Sequence, residues 1–258
     1  MSISNDNVKK KYYLCALIFN NMRKILLLCT CLVSALFTAC EDESGQYIEQ
    51  LSTDAQLMSG IRECLNVSKD TAVMHLCMAD SMNASEPHRI LLPANADFYN
   101  IENVLTANGH EALLDTLEDQ INRACEQMGD PVVSTFKSVI EAMTVSAPSS
   151  LVNGADDAIT SYFKANYATT LQASLSSSFA QKMRSIGASA LWNEILEEYY
   201  EANTQVISYD LQSYVLQQFL NEIFEQMSAE EKLVRSEPSH RVSSILQTVF
   251  GEVGEGNN

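Results

Sequence analysis

The chain has 258 residues, with 16 Lys and Arg against 33 Asp and Glu, for a formal charge of −17. This length suits one domain with a filled core, and the acidic balance repels phosphate backbones and anionic lipid faces, which excludes nucleic acid as a partner. Five prolines and nine glycines act as punctuation between apolar segments of helical period, with little strand pattern.

The first segment with a clear physical reading is Met22-Arg23-Lys24, followed by fifteen uncharged residues from Ile25 to Ala39 and then Cys40. Two bases hold the start on the cytoplasmic side while the apolar run enters the membrane as a short helix. A span needs about 20 apolar residues, so this run reads as a signal h-region. Leu36-Phe37-Thr38-Ala39-Cys40 resembles a lipobox, with Phe37 bulkier than the usual Leu, and makes Cys40 the expected lipidation site. A plain secretory signal cut nearby is the alternative. Residues 1–21 sit badly upstream of such a signal, so Met22 reads as the initiator and 1–39 as the precursor segment. Residues 40–50 form the lipidated cysteine and an acidic tether, and Glu41-Asp42-Glu43 resembles a surface-export signal. The expected address is a bacterial membrane, the outer one, facing the periplasm or the cell surface. Five bases and one acid precede Cys40, which leaves 11 bases and 32 acids, a net −21, in the mature chain. Such a surface attracts cations or basic partners.

Cys64, Cys77 and Cys125 remain after export. An oxidising location permits a disulfide, and Cys64–Cys77, on two short adjacent helices, is the pair to test; buried thiols are the alternative.

In chain order, Thr53-x-x-Gln56 reads as a capping box opening a helix over 53–65, with a second over 69–79. Residues 83–96 form a loop around Arg89-Ile90-Leu91-Leu92-Pro93, whose apolar run can lie extended across the core. A helix over 97–107 stops at Asn108-Gly109. The next, over 110–128, puts Leu113, Leu114, Leu117, Ile121 and Cys125 on one face. Gly129 ends it, and Asp130-Pro131 opens another as N-cap and first helical residue. A short turn over 148–152 stops at Asn153-Gly154. Asp156 or Asp157 caps a helix through 168, and Leu171, Leu175, Phe179, Met183 and Ile186 step along a separate one closed by Gly187. Leu191, Trp192, Ile195, Leu196 and Tyr199 build the next. Asp210 caps a helix through 227, Ser228-x-x-Glu231 caps another, and the last covers 239–250, before a disordered tail over 252–258. The expected fold is all-α: one multi-helix domain of about nine to eleven helices over 51–251.

Chemistry is sparse. His110-Glu111 lacks a second histidine four residues on, Glu237-x-x-His240 occurs once, and Cys64, His75 and Cys77 lack a fourth ligand, so no metal is assigned. No nucleophile elbow, phosphate loop or dinucleotide turn occurs, and no catalytic residue or cofactor is assigned. Glu194, Glu197, Glu198 and Glu201 read as a solvated face.

Ile90-Leu91-Leu92-Pro93, Asn122-Arg123-Ala124-Cys125-Glu126, Ile140 to Val145, Asn153 to Phe163, Asp210-Leu211-x-x-Tyr214-Val215, Glu230 to Arg235, Pro238-x-x-Arg241 and Val249-Phe250-Gly251 follow in that order. Over this stretch, from Ile90 to Gly251, the chain resembles the bacterial domain-of-unknown-function 4197 family. Cys125 stands where the family usually has Ala, and Ala147-Pro148 replaces an Asp-Ala pair. The resemblance implies a helical, exported protein and no known reaction, substrate or cofactor. Its polar residues, Asn122, Arg123, Glu126, Thr160, Tyr162, Glu231, Arg235 and Arg241, are the candidates for a ligand site or for buried ion pairs joining helices, such as Arg235 or Arg241 with Glu126. The functional expectation is a lipid-anchored envelope protein that binds or scaffolds without catalysis, held to the membrane through Cys40, its partner an envelope protein or a small ligand. The alternative is a carboxylate-dependent hydrolase, or a small-ligand or lipid-binding protein, with a cleft around Asn122, Arg123, Glu126, Glu231, Arg235 and Arg241.

Overall fold

The computed structural model describes residues 43–84 and 87–251, with side chains from Thr53 onward. The signal segment, Cys40, the start of the tether and the tail lie outside the described residues. Among the described residues nine α-helices follow in order: α1 (Glu43–Leu76), α2 (Ala96–Asn108), α3 (Ala112–Glu126), α4 (Gly129–Ala142), α5 (Pro148–Val152), α6 (Ala158–Ile186), α7 (Ala188–Ala202), α8 (Leu211–Ser236) and α9 (Ser244–Gly251). A 3-10 turn, Pro238–His240, joins the last two. The described residues contain no strand, and none of their helices is long and apolar enough to cross a membrane. The chain divides into Met1–Thr53 and Asp54–Asn258, and the contacts that follow belong to the second unit.

Three pairs of expected helices are continuous. In α1 the buried stripe Ile61, Leu65, Ser68, Ala72, Leu76 keeps its period through the expected break at 66–68. No Gly or Pro interrupts that stripe, so packing carries the helix past the break, and Thr53, which is exposed, lies inside α1 and does not open it. In α6 the buried residues Phe163, Leu171, Leu175, Phe179 and Met183 step by four or eight across the expected break at 169–170. Each four-residue step turns about 40° on the helix, so the buried face winds around it. This lets α6 touch α3, α4, α5, α7 and α8. In α8 the stripe runs through Met227, Glu231 and Val234, and Ser228 is an interior residue, not a cap.

Helices α6 and α8 form the centre of the core. Phe136 of α4, Phe163 of α6 and Phe224 of α8 meet with ring centroids 5.9–6.3 Å apart. The α1–α9 crossing depends on Gly60, because a Cβ there would stand 2.7–2.9 Å from the Val249 side chain. Two local caps operate. Asn95 accepts from the Asp97 and Phe98 amides at α2, and Asp210 accepts from the Ser213 amide at α8. Two expected caps do not. Asp130 lies inside α4, which starts at Gly129, and the Asp157 carboxylate accepts from the Ser161 hydroxyl and no backbone N–H.

Candidate functional site

The Arg89–Pro93 loop is a strap held at nearly every residue by side chains from other elements. Asn122 accepts from the Ile90 amide and donates to the Ile90 carbonyl, both at 2.8 Å, as a neighbouring strand would. Arg89 reaches Asp119 at 2.8 Å and the Asn83 side chain at 2.9 Å. Tyr214 donates its phenol to the Leu91 carbonyl, and Glu118 accepts from the Leu92 amide at 2.8 Å. Burial and the Glu118 charge push the Tyr214 phenol above its ordinary value. A segment without regular structure thus has its polar backbone satisfied and its position fixed.

Beyond the strap the Asn95 cap starts α2 and aims its first turn at α3. A pocket of about 320 Å³ opens between them. Leu92, Pro93, Phe98, Tyr99 and Leu114 supply its apolar wall. Phe98 is backed by Trp192, stacked at 5.4 Å, and by Tyr209, edge-on at 5.2 Å, so that wall is rigid. Tyr99 is 58% exposed at the mouth. The charged side chains of the lining are all acidic: Glu102 from α2, and Asp115 and Glu118 from α3. Sequence reading placed these residues on the right helices but missed the pocket. Its signal is the pair of acids three apart on α3 near one acid on α2, which only the packing of both helices against α7 brings together.

The eight residues singled out by resemblance do not line one cleft. Asn122 serves the strap. Glu126 accepts from the amides of Met82 and Asn83 at 3.0 and 3.3 Å, fixing the turn after α1. That turn includes Asp80 at φ 61°, where a non-glycine residue is strained, and exposed Arg123 pairs with Asp80 at 3.2 Å. Tyr162 donates to the Thr144 carbonyl, anchoring the segment after α4.

The remaining four lie at a junction of helix ends. Glu231, with no exposed surface, accepts from the Ile159 and Thr160 amides at 3.0 and 2.7 Å. A residue 72 positions away therefore caps α6, replacing the expected local cap. Arg235 grips the same carboxylate at 2.7 Å and donates to the carbonyls of Val152 and Leu151 at the end of α5. Arg241 donates to the Val234 and Arg235 carbonyls at the end of α8. Each charge faces the helix terminus of opposite partial charge. The hydroxyl oxygen of Thr160 is buried with no partner.

The expected pairing of Glu126 with Arg235 or Arg241 does not form. Cys64 lies in α1 and Cys77 follows its last residue, Leu76, thirteen positions on from Cys64. At 1.5 Å per residue the two cysteines are about 20 Å apart. The same spacing rules out a Cys64–Cys77 disulfide, since bridged Cα atoms lie within about 7 Å. All three thiols are free. Cys77 instead sits 3.9 Å from the Cys125 carbonyl oxygen. Burial, reinforced by Glu126, pushes the Cys77 thiol up to about 12, and burial raises Cys64 and Cys125 as well.

The histidines pair with α7 and α8. His110 meets Glu198 at 2.8 Å, His88 meets Glu222 at 3.1 Å and His240 meets Glu230 at 2.8 Å. Glu198 also accepts from Asn108, which with His110 holds its carboxyl below the usual range. It is therefore an inter-helix tie, unlike the solvated face expected for it.

Fold and site together define an all-helical protein with a rigid acidic pocket on one side and a helix-end junction of buried charges. The chain belongs to the family described as protein of unknown function DUF4197, whose model matches residues 51–251. No curated protein and no solved structure matches it.

Proposed function

We propose that this chain is a lipid-anchored protein of the bacterial envelope that binds a ligand without transforming it, with the pocket between the strap, α2 and α3 as its binding site. The observation that carries this reading is the pinned strap. Asn122, Glu118 and Tyr214 fix its backbone, so the pocket wall exists before any ligand arrives and binding needs little ordering. The lipobox ending at Cys40 supports the address, and the expected tether is helical from Glu43 onward, as the first turns of α1. Of the six residues of the alternative cleft, Asn122, Glu126, Glu231, Arg235 and Arg241 are committed to backbone groups and Arg123 pairs with Asp80 at the surface, which speaks against a shared cleft.

The anchor is tested by Cys40→Ser. The variant is expected to leave the membrane fraction and to lose the mass of its acyl chains. Unchanged fractionation and mass contradict the anchor. The site is tested by Tyr99→Ala and Leu114→Ser together, expected to abolish binding of any ligand found with the wild-type chain; full binding by that double variant places the site elsewhere.

A further inference from the structure

We infer that the pocket takes an alkylammonium group on an apolar stem. This rests on the pocket being the binding site. The wall offers Leu92, Pro93, Leu114 and the face of Phe98, which suit methylene groups. At the mouth, Tyr99 presents an aromatic ring that is mostly in solvent, a surface that attracts a cation and gains nothing by staying bare.

The charges set the sign of the ligand. Glu118 is already engaged: one oxygen accepts from the Leu92 amide and the other lies 3.6 Å from the Arg89 guanidinium. Glu102 and Asp115 form no ion pair with any described residue, so two carboxylates stand uncompensated over an apolar floor. Arg89, the cation beside the strap, is turned to Asp119 at 2.8 Å and is not part of the lining. An anion would face three carboxylates with no donor cation, and a neutral amphiphile would leave Glu102 and Asp115 unused. An ammonium on a stem of four or five carbons meets the apolar wall with its chain and the acids and Tyr99 with its head. The net −21 of the chain after Cys40 draws such a cation toward the surface. Both a free polyamine and a lysine side chain of a partner polypeptide carry this group.

Trp192 reports occupancy, because it is the only tryptophan in the chain and stacks on the pocket residue Phe98. The purified full chain is titrated with cadaverine, acetyl-lysine amide, hexanoate and 1-pentanol, following Trp192 fluorescence. Cadaverine or acetyl-lysine amide, or both, is expected to give a saturable change that weakens at 0.5 M salt. Glu102→Gln with Asp115→Asn is expected to weaken it at least tenfold. A response to cadaverine alone points to a free polyamine, and one to the lysine amide alone to a partner side chain; either keeps the ligand class. Hexanoate or pentanol binding as well as the amines overturns the class while leaving the pocket a binding site. Four silent titrations overturn both, and amine binding unchanged in the double variant overturns the role of the acids.

Discussion

Glu231 and Glu102 both stand on helices against the same core, yet the first has no exposed surface and the second faces solvent at the mouth of a pocket. At the helix-end junction every formal charge is matched: the Glu231 oxygens by two amides and Arg235, and the arginines by carbonyls of α5 and α8. At the pocket two of three carboxylates have no ion partner, and the aromatic residue beside them is bare. Buried charge without a full set of partners is expensive, so the charged groups of the junction are all engaged, and the unpartnered buried atom there is the neutral Thr160 hydroxyl. Exposed charge costs little, so the pocket can keep capacity unused in the free protein.

That contrast predicts a graded series. Glu231→Ala leaves Arg235 buried without its carboxylate and the start of α6 without its cap, and is expected to cost about 3–5 kcal/mol by urea denaturation. A loss below about 1 kcal/mol would erase the distinction between the two regions. Glu126→Ala orphans the Met82 and Asn83 amides and is expected to cost about 2 kcal/mol in the same assay.

Asp210 lies between the extremes, an exposed carboxylate with a local structural task. Hydrogen bonds from Ser213 hold its carboxyl below the usual value. A lowered carboxyl contributes stability at pH values above its unfolded pKa and loses it as pH falls through the folded one. Asp210→Ala is therefore expected to cost about 1 kcal/mol near neutrality and progressively less below pH 4, checked by denaturation across pH. A cost that grows on acidification would contradict the cap. Among the thiols, Cys77 with its value near 12 is expected to react with iodoacetamide at pH 8 about a thousandfold more slowly than a free cysteine, followed by intact mass. Smallest of all, Glu102→Gln with Asp115→Asn is expected to change stability by about 0.5 kcal/mol or less, since neither acid holds the fold together.

The sequence made the helical class plain, and so was the order of its apolar faces. Its boundary signals misled where a capping box fell inside a helix that continued, as at Thr53 and Ser228, and at Ser228 the buried stripe on either side outweighs a local cap. The polar residues of the junction stood out as a set, but their tasks are non-local. Nothing near Asp157 shows that the cap of α6 comes from Glu231, and nothing near Cys64 shows that one helix runs unbroken from it to Leu76, the residue before Cys77. The pocket was least legible, because Glu102, Asp115 and Glu118 are ordinary acids on two helices until the strap and the packing of both helices against α7 gather them around one pocket.

Thermal unfolding with and without cadaverine, run on the wild-type chain, Glu231→Gln and the Glu102→Gln/Asp115→Asn variant, tests that division of labour most directly. The account predicts that cadaverine raises the wild-type Tm, that Glu231→Gln melts far lower but keeps the cadaverine-induced rise, and that the pocket variant melts like the wild type and loses the rise. A pocket variant that keeps the rise, or a Glu231→Gln chain that stays folded and stable yet loses it, would contradict the account.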